Sequence, residues 1–416
     1  MVVSRPRDTG QARDRNQALW LFIPLFYACF FWQLRPFGAP GLLVALGALV
    51  VSGFVHGRRF LSPVLLVFAG LGLVYVLVSY LGLLGRGITL LFEPSAIAQQ
   101  SAYALFLPFA VAAFAVYHEG VSQGRRAFVM LETGVLMMAI VAKLINSVAP
   151  EQDSLTGELL VSYAGIFQLV TPIALLAFVL VRRTLQSPRA TQGTMLALAI
   201  ILLVTSDSSQ ANIAMGVLVP LVLLPNAKRT ITFCFLLVLM AVSLIAWPYA
   251  QDIWLADPNT GIRLFFWHDA LDRLWQSGGV GVGFGTETIR PLYALRTTDV
   301  TLSGIDDPNF ILIGSHNAFI DAFYRMGVVG GGLLTIFIFR LFVKVVRGTI
   351  AQVNIMDCWV VCALAINLMV NVGLASFNFF FGNAFFMGWL MYRSISSQHK
   401  AIAYMPVGDD QGHGRA

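Results

Sequence analysis

Two adjoining segments of this chain hold side chains suited to group transfer: the polar interruption Gln251 to Ser315, and SHNAFIDAFYRMGVVGGGLL, Ser315 to Leu334, into which it leads. His316 has the first claim. With Ser315 as a helix N-cap, the imidazole falls in the first turn, where the helix dipole disfavours positive charge and leaves a neutral ring able to take a proton from a hydroxyl. A histidine that only caps or packs fits the same position equally well. Arg263, in GIRLFFWHDALDRLWQ, has no acidic partner at helical spacing, and a guanidinium so placed can hold a phosphate through two parallel hydrogen bonds. Arg273 is accounted for differently, because it follows Asp269 by four residues in the acid-first order that favours a helical ion pair. Asp321 and Arg325 have the same spacing and read as a salt bridge on the face away from His316. Arg290 and Arg296 read as solvated or salt-bridged loop residues.

The run GGVGVGFG, Gly278 to Gly285, is backbone without side-chain bulk, able to turn sharply and to approach a ligand closely. Its third spacing is wrong for a dinucleotide fingerprint, and no strand precedes it. Asp306 and Asp307 lack the companions of a divalent-metal cage. Cys358 and Cys362, four apart in an apolar run, have no His or acidic residue at ligand spacing and read as core thiols. Neither a metal nor a cofactor is expected.

The elements that position these groups are membrane helices. At 57% hydrophobic and 12% charged residues, with a mean hydropathy of +0.76, the chain is not a soluble globule; such a protein has about twice that charged fraction. The net charge of +6 does not point to nucleic acid, since the basic residues are scattered through short inter-helix loops and report topology instead. Apolar runs of spanning length lie near Ala18–Leu34, Gly41–Val55, Ser62–Leu84, Ser101–Tyr117, Phe128–Val148 and Leu159–Val181. Others lie near Thr194–Thr205, Ala211–Leu224, Thr230–Tyr249, Val328–Val346, Ile355–Val372 and Leu374–Met391.

The fold class expected is therefore all-α, a polytopic integral membrane protein of about twelve transmembrane helices. One large periplasmic loop falls between the ninth and tenth. Lys and Arg alternate with the loops so that both termini are cytoplasmic and the long loop lies outside. In order, residues 1–17 are a disordered tail, 18–250 the first nine helices, 251–315 the loop with its amphipathic helix, 316–394 the active-site helix and last three spans, and 395–416 a second tail. In the amphipathic helix Leu264, Trp267, Leu271 and Leu274 recur on one side, with Arg263, Asp269, Asp272, Arg273 and Gln276 polar, so it is expected to lie flat on the bilayer. Gly85 to Gln100 is too long for a tight turn and is expected to fold back onto the outer face.

The order of an arginine and tryptophan in GIRLFFW, then GVGFG, then a His-Asn pair opening a helix that ends in MGVVGG, resembles the O-antigen ligase and Wzy-type O-antigen polymerase superfamily. The motif resemblance covers about Arg263 to Gly332, and elsewhere only the architecture is similar. It implies a GT-C-like, metal-independent glycosyltransferase of the bacterial inner membrane, acting at the periplasmic face on an undecaprenyl-diphosphate-linked oligosaccharide. The implied acceptor is another lipid-linked glycan or lipid A core, with a flippase and a chain-length regulator as accessory partners. By that resemblance Arg263 holds the diphosphate and His316 activates the acceptor hydroxyl, while Asn317, Gly281, Gly283 and Gly285 match motif positions without an assigned step. The Ser-Arg pair often found between the two short helices is absent from SDSSQAN, Ser206 to Asn212. Arg325 stands where many members have an acid and is the candidate to supply that missing cationic contact.

Polymerase is the favoured activity, with a ligase as the alternative. A lipid-linked glycan flippase or secondary transporter is the rival of another class, and requires paired halves and ionisable groups deep in several helices. Glu132 and Lys143 are the visible candidates for such groups. A non-catalytic scaffold would leave Arg263 and His316 free to vary.

Overall fold

The computed structural model describes residues 38–84, 92, 94–126, 128–133, 182, 258–286, 315, 317–351, 354–366, 368 and 377–403. The expected spans near Ala18–Leu34, Leu159–Val181, Thr194–Thr205, Ala211–Leu224 and Thr230–Tyr249, the SDSSQAN tip, Lys143, Arg290, Arg296, Asp306, Asp307 and His316 lie outside them. Arg263 is described in its backbone alone.

Among the described residues the chain is helical, with one isolated β-bridge between Phe92 and Thr286 and no strand. The helices are α1 (Gly38–Val51), α2 (Pro63–Tyr80), α3 (Pro94–Ser122), α4 (Pro258–Gln276), α5 (Ala318–Ala351), α6 (Ile355–Ile366) and α7 (Phe377–Ala403). Three stretches, Pro63–Tyr80, Ala96–Ser122 and Ala318–Arg347, are long and apolar enough to cross a membrane. The count of about twelve is not reached by what is described, and α7 continues to Ala403, so the expected disordered tail from Ser396 is helical at its start.

α3 is the hub. Its apolar window is mostly buried, whereas that of α2 is mostly exposed, as suits a helix on the lipid-facing rim. Small residues bring the backbones together around α3. A Cβ on Gly53 would meet Phe109 O at 2.4 Å, and one on Gly388 of α7 would meet the Phe114 Cβ at 2.6 Å. Such contacts replace the hydrophobic drive that helices lack between themselves in lipid. Phe114 and His118 meet Phe385 edge-on, Tyr117 lies tilted against it, and Tyr103 meets Phe380 edge-on, so α3 and α7 run in the same direction.

These contacts define two ends. At one, Tyr75 and Ser79 of α2 and Gln100 of α3 meet the loop that follows α4. At the other, Arg59 pairs with Glu119, and Asp357 of α6 accepts from Trp389 Nε1 at 2.9 Å and pairs with Arg393 at 3.0 Å. Arg182 is buried there with Glu132, Tyr117 and His118. Its Nη1 donates to His118 Nδ1 at 3.1 Å; a guanidinium cannot accept, so Nε2–H is the donor to Phe385 O at 3.0 Å. Cys358 is buried in the apolar core, as its sequence context predicted.

Pro94 starts α3 seven residues ahead of the apolar run at Ser101, so residues 94–100 of the segment expected to fold back are helical, while Phe92 just before them bridges to Thr286. Proline is favoured in a first helical turn, where its missing N–H costs nothing.

Candidate functional site

α5 is broken. Met326 (φ −114°, ψ 15°) and Gly327 (φ 66°, ψ −171°) leave the helical region, so the motif MGVVGG marks the join between a short first half and a long second half. Within an apolar environment the backbone groups freed by such a break must find partners inside the protein. The glycine loop supplies them. Val282 N donates to Tyr324 O at 2.8 Å, Gly283 N to Arg325 O at 3.0 Å, and Val328 N to Gly279 O at 2.9 Å.

This explains the glycines. Gly281 (φ 89°) would place a Cβ 2.5 Å from Gly327 N, and Gly327 would place one 2.3 Å from Val280 O. Two chains in backbone contact leave no space for a side chain on either. Gly283 (φ 83°) faces Ser79, whose Oγ accepts from Phe284 N at 2.9 Å, and Gly285 N donates to Gln100 Oε1 at 2.7 Å. Expected from the sequence to approach a ligand, these glycines lie, among the described residues, in close approach to helices α2, α3 and α5.

Arg325 lies at the centre of this contact, fully enclosed. Its Nη1 donates to Gln100 Oε1 at 2.7 Å and reaches Gly283 O, Thr286 O and Thr286 Oγ1 at 3.3–3.4 Å. Asp321 remains an electrostatic neighbour of Arg325, but its Oδ1 accepts from Ser315 N at 2.8 Å. What the described contacts show the guanidinium holding is the loop. Gln100 and Ser79 were missed from sequence. Only the polarity of Ser79 inside an apolar run, and of Gln100 at the edge of one, could have singled them out.

The start of α5 corrects another expectation. Asn317, not Ser315, is the cap: its Oδ1 accepts from Phe319 N at 3.0 Å and Ile320 N at 3.1 Å, and the helix begins at Ala318. The first turn therefore starts two residues after His316. Asn317→Ala is expected to cost about 1 kcal/mol, and Asn317→Asp, which keeps the acceptor, to be nearly neutral. Thermal unfolding of the purified protein in detergent measures both.

α4 packs on α5 through a face different from the one its leucines indicate. Phe266, Asp269, Ala270, Arg273 and Leu274 are buried, while Leu271 and Trp275 are exposed. The expected Asp269–Arg273 pair forms, at 2.9 Å, but it is turned inward beside Tyr324, and Ala270, Val282 and Tyr324 make a small core of their own. A helix expected to lie flat on the bilayer is therefore docked on the protein by its charged pair, with Trp275 left on the outer side.

Trp267 completes the arrangement. Its Nε1 donates to Ser315 O at 2.8 Å. Trp267 is one turn beyond Arg263, about 6 Å along the axis, and Ser315 immediately precedes His316. No protein-family model matches the chain, and no curated protein matches it. Among the described residues no three His, Cys, Asp or Glu side chains gather as a metal would require.

Proposed function

We propose that this chain is a membrane glycosyltransferase that moves a glycan from a polyprenyl-diphosphate carrier to an acceptor hydroxyl, joining polysaccharide repeat units at the loop end of the bundle. The observation that carries the reading is the Trp267–Ser315 hydrogen bond, which ties the helix turn bearing Arg263 to the chain position next to His316. A second support is the setting: Leu271, Trp275, Val280, Val328 and Val329 are exposed around this end, an apolar rim suited to the tail of a lipid-linked donor.

The chemistry follows from the parts. A lipid diphosphate leaves readily once its growing charge is met, and Arg263 meets it through two directed N–H donors. The acceptor hydroxyl gives its proton to the imidazole of His316 as its oxygen bonds to the anomeric carbon. The periplasm of an inner membrane is the compartment for this reaction, and the acceptor is another lipid-linked repeat or a lipid A core.

Arg263→Ala and His316→Ala are each expected to lower long-chain glycan at least about a hundredfold, in line with loss of a transition-state donor or a general base. Arg263→Lys retains charge without the paired geometry and is expected to fall between. Gel ladders from cells with matched membrane expression read the result; normal ladders in both alanine variants would sink the proposal. Single repeats still attached indicate polymerisation, and loss of all attached glycan indicates ligation.

The transporter reading draws on the break in α5 and the buried Glu132–Arg182–His118 group. In transporters, however, the ends of broken helices face a substrate. Here the carbonyls of Tyr324 and Arg325 at the break accept from loop amides, which favours a fixed support.

A further inference from the structure

The loop Gly279–Thr286 is held almost wholly through its own backbone. Tyr75 Oη donates to Val280 O, Ser79 Oγ accepts from Phe284 N, and the backbone at the break in α5 pairs with Gly279, Val282 and Gly283. Gln100 stands at the junction of these contacts. Its Oε1 accepts from both Gly285 N (2.7 Å) and Arg325 Nη1 (2.7 Å), and its Nε2 donates to Thr286 O at 3.2 Å. The amide is fully buried and both of its polar atoms are engaged by protein. The loop follows α4 directly, and Arg325 lies in the first half of α5, so whatever fixes one against the other also fixes α4 against the start of α5.

We propose that Gln100 is a positioning residue: with Arg325 it locks the glycine loop to the break in α5 and thereby sets where the Arg263 helix stands relative to His316. The functional half of this inference rests on the proposed glycosyl transfer; the lock itself does not. Two physical features support it. A side-chain amide is one of the few groups able to accept from a guanidinium and a backbone N–H while donating to a carbonyl. A buried network of this kind is rigid when all its members are satisfied and costly when one is lost.

The test places a reporter at Val282, which is buried against Ala270 and Tyr324 and whose side chain takes no part in the lock. Val282→Cys is made in a full-length chain whose four native cysteines are replaced by alanine, and is labelled in membranes with a water-soluble maleimide. With Gln100 present the thiol is expected to be protected. With Gln100→Leu, which removes every contact, labelling is expected to rise at least about tenfold as the loop opens, and glycan per folded protein to fall in parallel. Gln100→Glu keeps both acceptor contacts and meets Arg325 with a charge but cannot donate to Thr286 O, so it is expected to restore protection and glycan in part, a rescue that mere space-filling would not produce. If Gln100→Leu lowers the folded yield on size exclusion, Gln100→Asn, shorter by one methylene, takes its place.

Equal labelling with and without the Gln100 substitution would overturn the lock. A rise in labelling with unchanged glycan would overturn the positioning role. His316→Ala provides the separation: it is expected to abolish glycan without altering the labelling, and if glycan persists the transfer reading fails while the labelling comparison still decides the lock.

Discussion

Replacing Arg182 by methionine is expected to destabilise the protein by about 3–5 kcal/mol, the range for stranding one partner of a buried ion pair. Glu132 is fully buried and Arg182 nearly so, and the guanidinium also donates to His118 and Tyr117 and lies 5.7 Å from the centre of the Tyr117 ring. Among the described contacts the Glu132 carboxylate also accepts from Tyr117 Oη, at 2.8 Å, a neutral donor that does not replace a guanidinium. Removing both charges at once is a different experiment. The pair Glu132→Leu with Arg182→Met restores apolar packing and no longer pays the desolvation of two ions, so most of the lost stability is expected to return. A double-mutant cycle from thermal or denaturant unfolding in detergent measures the coupling. Additive losses would mean that the two side chains do not depend on one another.

Gly327→Ala is expected to be as damaging, for a backbone reason. At φ 66° and ψ −171° the residue occupies a region that is in practice open only to glycine. The added methyl would also sit 2.3 Å from Val280 O and 2.5 Å from Gly279 O, so the loop must withdraw. Its withdrawal breaks the bonds that Val282, Gly283 and Gly279 make with the broken helix. Strain and lost hydrogen bonds together amount to roughly 3 kcal/mol or more. Gly281→Ala forces the same two backbones apart from the other side, and the double variant is expected to cost much less than the sum of the singles. On the proposed glycosyl transfer, glycan assembly is expected to fail in each, because the loop no longer holds α4 in place. Strict additivity in unfolding would show that the two glycines do not share one contact.

Local patterns in this chain are read correctly where a property depends on near neighbours. The apolar runs at Ser62–Leu84 and Val328–Val346 become helices, the Asp269–Arg273 spacing becomes an ion pair, and MGVVGG does end a helical segment. Where two local solutions compete, sequence alone misjudges. Both Ser315 and Asn317 can cap α5, and the backbone selects Asn317. Along α4, Phe266, Ala270 and Leu274 recur as regularly as the leucines, and the choice of face falls to the inward Asp269–Arg273 pair, which finds Tyr324 only once α5 is in place.

What the sequence determines by itself is a membrane-type helical chain with one polar, glycine-rich interruption, because hydropathy and helical periodicity are sums over adjacent residues. What only the tertiary structure decides is what that interruption touches. Gln100 and Ser79 bind the loop from 185 and 205 residues away, Arg182 is drawn into the core by Glu132, and the glycines are needed because a helix broken at Gly327 lies against them. Hydrogen-bond partners of buried backbone are set by proximity in space, and proximity between distant segments leaves no periodic trace in a single chain.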